Sequence, residues 1–286
     1  MTATREELLA GELVVHGRVV DSSNVALLVE VCEAGEEPTV DANGTVHPRS
    51  GGAPTRWAIY KPVRGERPLW DFPDGTRAGR EVATALVAEA MGYAVVPPTV
   101  LRDGPLGVGS VQAWVGDPFA AVEPDELPVR VVRRGRVPHG WLTVIDGELG
   151  DGTPVVVAHE DRADLRSVAV LDAVLNNSDR KGSHLVRDAA GELRGFDHGL
   201  TFHAEPKLRT VLWGWAGQPL GAEDLAAVAG LAERCATQGD SLVDELLGLL
   251  PAGDVDALRQ RVERLARAGV HPLPGRGWPS VPWPAI

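Results

Sequence analysis

The sequence predicts an α+β fold: a small antiparallel sheet carrying one helix, then a mainly helical region. Three observations lead there. Five short runs rich in branched apolar residues fall between residues 11 and 115, interrupted by one stretch of helical periodicity. Helical patterns dominate from Glu223 onward. The 286 residues, 44% of them hydrophobic, suffice for a sizeable core.

Residues 1–10 read as a short helix opened by "TREE". "LVVHGRVV" and "VALLVEVC" read as strands joined by the tight polar turn "DSSN". "EAGEEPTVDANGTVHPRSGGAP" is an acidic, Gly/Pro-rich insertion and reads as a loop. "RWAIYKP" is the third strand and carries Lys61. "RAGREVATALVAEAM", Arg77 to Met91, has helical spacing and stops at Gly92. "AVVPPTVLRDGPLGVGSVQAWV" supplies two more strands around "DGPLG". Residues 1–115 therefore form a first lobe of order β-β-β-α-β-β. Residues 116–140, rich in Pro and charge, read as a linker. They end in "RVVRRGR", which is either a solvated, turn-flanked strand or a holder for an anionic substrate.

The second lobe spans 141–270. "WLTVIDGELGDGTPVVVAHE" reads as a hairpin, and "DRADLRSVAVLDAVLNN" as a helix with Asp161 available as its cap and Asn176 and Asn177 at its end. "HLVRD" and "LRGFD" face each other across "AAGE". Three packing helices follow: "EDLAAVAGLAERCAT", "DSLVDELLGLL" and "DVDALRQRVERLARAG". Residues 271–286 form a Pro/Trp-rich, extended tail.

Composition narrows the function. A net charge of −12 argues against a general nucleic-acid binder or a membrane-surface protein. No apolar run reaches the roughly 18 residues of a membrane span, so no stable membrane insertion is expected. The first residues lack the apolar core of a signal peptide, which makes a cytoplasmic location the expectation. Cys32 and Cys235 offer neither a disulfide framework nor metal-ligand spacing. Only three lysines occur: Lys61, Lys181 and Lys207. Two of them stand in the most motif-like places, and a compact ammonium is not interchangeable with a guanidinium at a phosphate site.

The chemistry concentrates in "VLNNSDRKGSHLVRDAAGELRGFDHGL", Val174 to Leu200. Asp179 is followed by His184, and later by Asp197 with Gly199 two residues on. Kinase catalytic loops place a base Asp ahead of a metal-binding residue, and a later D-x-G Asp binds the metal that bridges the ATP phosphates. Upstream, a strand lysine, Lys61, and a helix glutamate, Glu81, match the pair that contacts phosphate in kinases. The "DSSN" turn lies where a phosphate-covering loop belongs, so Ser22 and Ser23 join the candidates.

With these residues in view, the chain resembles the atypical kinases related to phosphatidylinositol 3- and 4-kinases, in particular a bacterial branch of such proteins. "YKP", "GREVA", "NNSDRKGSH" and "FDHGL" carry the resemblance. Some elements are also similar to type II phosphatidylinositol 4-kinases and HipA-like kinases. The resemblance implies a bilobal protein-kinase-like fold, with an N-lobe antiparallel sheet plus one helix, a mainly helical C-lobe, and ATP between them. It implies Lys61 on the phosphates, Glu81 orienting it, Asp179 as catalytic base and Asp197 on the metal. Lys181 either neutralises the transferring phosphate or is simply solvated. The strand "SVQAWV" would present backbone to adenine near Gln112 to Val115, with Trp114 as a wall. His184 stands where the family has Asn; imidazole suits transition metals better than Mg²⁺, so Mn²⁺ is the alternative ion.

The expected activity is ATP- and metal-dependent phosphoryl transfer to a hydroxyl of an inositol-like small molecule or of a protein. A nucleotide-binding pseudokinase acting as a regulatory partner, or an AMP transferase on the same fold, are the alternatives. Simpler readings stand beside these. Asp179 and Arg180 could form a surface salt bridge worth little. His184, His198 and His203 could hold zinc, although no H-x-x-x-H helix supports it. Trp213 and Trp215 are either core residues or the lining of an acceptor groove.

Overall fold

The computed structural model describes residues 2–19, 24–33, 39–40, 46–47, 55–72, 76–120, 122–277 and 279–286. Helix α1 (Arg5–Ala10) opens with a capping box in which Thr4 and Glu7 satisfy each other's backbone N–H. Strands β1 (Glu12–Arg18), β2 (Leu27–Cys32), β5 (Trp57–Pro62), β6 (Thr99–Gly104) and β7 (Gly107–Ala113) form an antiparallel sheet of order β1-β2-β5-β7-β6. Short strands β3 (Thr39–Val40) and β4 (Val46–His47) pair inside the insertion expected to be a loop.

Period-two alternation sorts the sheet's two faces. Ala58 and Tyr60 on β5 join Val29, Val111 and Ala113 in a core closed over by Leu8 of α1. The opposite face carries Trp57, Ile59 and Lys61, with Leu28, Glu30, Ser110 and Gln112 beside them in register. Lys61 therefore faces away from the α1 core.

Helix α2 (Arg77–Ala90) follows β5 as expected, but its start is stapled from outside. Glu66 accepts the N–H groups of Arg77 and Ala78, placing a carboxylate at the positive end of the helix. Val82, Ala83, Leu86, Val87 and Met91 of α2 pack into the core of the helical region, against Leu171, Leu175, Leu231, Leu246 and Leu258. Gly79 permits this approach, since a Cβ there would lie 2.5 Å from the Leu249 carbonyl oxygen. Helix α2 thus joins the two lobes, although its sequence position assigns it to the first.

The span expected to be a linker contains β8 (Val129–Arg133). It pairs with β10 (Pro154–Glu160), which also pairs with β9 (Trp141–Glu148) in the expected hairpin. The arginine cluster is thereby the solvated edge of a sheet: Arg130 stacks on Trp141, and Arg134 pairs with Asp146. Helix α3 (Ala163–Leu175) takes Arg162 rather than Asp161 as its first flanking residue. Asp161 instead accepts from Trp215 Nε1 at 2.9 Å, because the indole is buried and needs an acceptor. Asn176, at φ 52°, ends α3 and takes the carbonyls of His203 and Glu205, a structural role. Strands β11 (Leu185–Arg187) and β12 (Leu193–Gly195) form the expected small hairpin. Helices α4 (Ala222–Ala236), α5 (Ser241–Leu249) and α6 (Ala252–Ala268) complete the helical lobe. The α+β, bilobal architecture is the one the sequence predicts. Among the described residues no helix is long and apolar enough to cross a membrane.

Candidate functional site

Lys61 is the centre of the site. Its Nζ donates to Glu81 Oε1 at 2.5 Å and to Asp197 Oδ1 at 2.9 Å. The three residues come from β5, from α2 and from the turn after β12, so the contact ties both lobes together. Glu81 is buried, and its second oxygen accepts the His198 backbone N–H at 2.9 Å. One carboxylate therefore fixes both the lysine and the D-x-G turn. Asp197 sits in the left-handed region at φ 60°, which aspartate tolerates better than most residues. Its side chain is 54% exposed. A Cβ on Gly199 would come within 3.4 Å of Arg77 Cβ and 3.7 Å of Glu81 Oε1, so the turn runs close to the start of α2.

The charges reinforce one another. Burial alone would depress the Lys61 ammonium, but Asp197 and Glu81 outweigh it and hold its pKa above the ordinary lysine range. Lys61 in turn holds Asp197 well below the usual carboxylate range. His184 Nε2 lies 3.5 Å from Asp197 Oδ2, and burial pushes its imidazole down to about 4. Asp179 pairs with Lys181 Nζ at 3.2 Å. Burial raises the Asp179 pKa, Lys181 opposes the rise, and Asp197 adds to it.

Arg180 departs from the surface-pair reading. It is fully buried against fully buried Asp172 of α3. Its Nε and Nη2 both donate to Asp172, which also accepts from Asn177 and from Thr210 Oγ1. The remaining Arg180 donors reach Phe196 O and His198 Nε2. Arginine has no acceptor, so His198 Nε2 must accept and the proton sits on Nδ1. That Nδ1 has no hydrogen-bond partner among the described residues; Glu81 Oε2 lies 4.0 Å away. Burial and the Arg180 charge push the His198 pKa well down, which keeps it neutral. A continuous polar chain thus runs from Asp172 through Arg180 and His198 to Glu81. Sequence reading missed Asp172, whose only signal was a lone acid in the apolar run "SVAVLDAVL".

The remaining candidates separate. Ser22 and Ser23 lie outside the described residues. Gln112 shares the Lys61 face, but its backbone pairs with both β5 and β6, and its amide donates to Thr99 Oγ1. Trp114 N donates to Trp57 O. Gln112 and the Trp114 N–H are therefore held within the sheet rather than offered to a ligand, because β7 is a central strand. Val115 is the first of the three beyond those ladder bonds, and half-buried. His184 lies in a 3-10 turn (Gly182–His184) ahead of β11, and Asp197 just past β12. Trp215 is 1% exposed and Trp213 donates to Ser280 O, so this pair forms part of the packing and not an open groove. His203 meets Phe72 edge to face, with ring centroids 5.3 Å apart.

A divalent ion fits this donor set in one way. Among the described residues no group of three His, Cys, Asp or Glu side chains could hold a metal alone. Asp197 and His184 offer two donors, and Asp179 is near enough to feel the Asp197 charge. Mg²⁺ is ordinarily held by one or two carboxylates together with substrate phosphates and water, so the site suits an ion brought in with a nucleotide.

The chain belongs to the same family as protein Rv2133c of Mycobacterium tuberculosis (strain ATCC 25618 / H37Rv). The two are 43% identical over 283 residues, covering 98% of this chain and 94% of the other. No family model matches the chain. Similar solved structures include the Golgi casein kinase, at 12% identity and TM-score 0.48, covering 92% of this chain and 72% of that one. The Helicobacter pylori proinflammatory kinase CtkA is similar at 10% identity and TM-score 0.43, covering 92% and 94%. Likenesses this distant decide nothing about activity, and the functional reading rests on the site itself.

Proposed function

We propose that the chain is an ATP- and divalent-metal-dependent phosphotransferase acting on a hydroxyl of an inositol-like small molecule or of a protein. One observation supports this above the others: a strand lysine bridges a buried helix glutamate and a half-exposed aspartate of a D-x-G turn that lies 136 residues from the lysine in the chain. An ammonium held charged by two carboxylates, one of them solvent-facing, is poised to exchange that aspartate for phosphate oxygens.

In this reading Lys61 contacts the phosphates and Glu81 keeps it aimed. Asp197 and His184 hold the cation, Mg²⁺ or Mn²⁺, which neutralises phosphate charge when bound. Asp179 accepts the proton of the attacking hydroxyl; its raised pKa makes it a better base than a solvated aspartate. The acceptor oxygen bonds to the γ-phosphorus as the bond to the β–γ bridging oxygen breaks, and ADP leaves. Lys181, beside Asp179, offsets the charge that develops on the transferring group.

The test is a melting-temperature titration with ATP plus Mg²⁺ and ATP plus Mn²⁺, on the native chain and Asp197→Ala. A metal-dependent rise that the variant loses supports the site. A rise of equal size in Asp197→Ala would remove Asp197 from it, and no rise with either metal at millimolar ATP would defeat the proposal.

A further inference from the structure

The Pro/Trp-rich tail has a place in the fold that its composition does not announce. Gly182, directly after Lys181, donates its backbone N–H to Ala285 O at 2.8 Å. A Cβ on Gly182 would collide with Ile286 Cδ1 and come within 3.1 Å of Val129 Cβ. The loop is therefore glycine at that point because residues 285–286 lie against it. Further along, Ser280 O accepts from Thr210 N at 3.0 Å and from Trp213 Nε1 at 2.8 Å. Thr210 and Val211 form the segment on which the loop rests: Val211 N donates to Arg180 O, and Thr210 Oγ1 donates to Asp172. Val281, Ala285 and Ile286 pack on an apolar cluster that includes Val129, Leu185, Val211 and Trp215.

We propose that residues 280–286 form a strap that positions the loop bearing Asp179 and Lys181, with Ala285 and Ile286 as positioning residues for phosphoryl transfer. The functional part of this rests on the reading given under Proposed function. The strap grips the loop at Gly182 and its backing segment at Thr210. A base misplaced by about 1 Å can cost on the order of 100-fold in rate. Among the described residues, Lys61, Glu81 and Asp197, the residues assigned to the nucleotide, hydrogen-bond and ion-pair with one another and with His184 and His198 rather than with the strap. Loosening it should therefore lower turnover and leave nucleotide affinity nearly unchanged.

The experiment uses four full-length variants: Gly182→Ala, Ile286→Ala, the two combined, and Val281→Asp with Ile286→Asp. The last replaces two apolar contacts with charges that the cluster cannot accommodate. Hydrogen exchange at residues 179–184 is measured without ligand, alongside the ATP-dependent melting shift and the rate of ATP turnover. In the double-aspartate chain, exchange at 179–184 is expected to rise at least tenfold, with turnover down roughly 100-fold and ATP affinity within about twofold. Gly182→Ala should show the same pattern more weakly, and adding Ile286→Ala should restore part of the protection and turnover. Unchanged exchange at 179–184 in the double-aspartate chain overturns the strap. If that chain does not fold, absence of rescue in Gly182→Ala with Ile286→Ala overturns it instead. A native chain without any ATP response would defeat the phosphotransferase reading, while the exchange data would still decide whether the strap holds the loop.

Discussion

Asp172→Ala should be among the most damaging single substitutions in this chain. The carboxylate is fully buried and accepts from Arg180 Nε and Nη2, Asn177 Nδ2 and Thr210 Oγ1. Its removal leaves a guanidinium with no solvent and no anion, since the other acceptors near Arg180 are the neutral Phe196 carbonyl and His198 Nε2. Removing one partner of a buried pair costs about 3–5 kcal/mol, because the surviving charge stays desolvated. The pair itself need not be strongly stabilising for this to hold; the penalty lies in orphaning one half. With a urea dependence of about 3 kcal/mol per molar for a chain of this size, the unfolding midpoint should fall by roughly 1–1.7 M. Far-UV circular dichroism during urea unfolding measures it. Asp172→Asn keeps one acceptor oxygen and should cost less. A fall in midpoint below about 0.3 M for Asp172→Ala would refute the assignment of Asp172 as the counter-charge of Arg180.

Other outcomes follow from the same geometry. Lys61→Ala should weaken ATP binding by roughly 10- to 100-fold, as expected for losing a charge-assisted contact, and leave adenosine binding nearly unchanged; equal losses by calorimetry would count against a phosphate contact. Arg80 bridges lobes by donating to Asp254 Oδ2 at 2.6 Å and to Thr201 O. Arg80→Met should therefore destabilise by about 3 kcal/mol, leaving Asp254 unpaired, and a variant melting within a degree of the native chain would contradict that. Burial and then the Arg166 charge depress buried His271 to about 4. Its unfolded form binds a proton below about 6.5, so its contribution to stability is complete above that pH. That contribution is lost as pH falls toward 4, at about 1.4 kcal/mol per pH unit. The difference in unfolding free energy between the native chain and His271→Gln should narrow or reverse across that window, and a difference independent of pH would remove the assignment.

The order β-β-β-α-β-β, the hairpins and the helices of the second lobe were legible in the sequence because they depend on short-range signals. Apolar periodicity, a Gly after a helix and a polar turn between branched runs act within a few residues. Lys61, Glu81, Asp179 and Asp197 could be singled out as candidates for a related reason: each sits in a short local motif of kinase-like spacing. The structure alone brought Lys61 within hydrogen-bonding reach of Asp197, 136 positions away. It alone buried Arg180 on Asp172, placed α2 in the core of the helical lobe, and laid residues 280–286 against Gly182. Whether an Arg is a solvated face or a buried hub depends on the dielectric around it, and that is set by segments far away in the chain. A Pro/Trp-rich stretch has no periodicity to report where it docks. Its position follows from which apolar cluster and which unpaired backbone groups the rest of the fold leaves exposed, and only the assembled tertiary structure determines those.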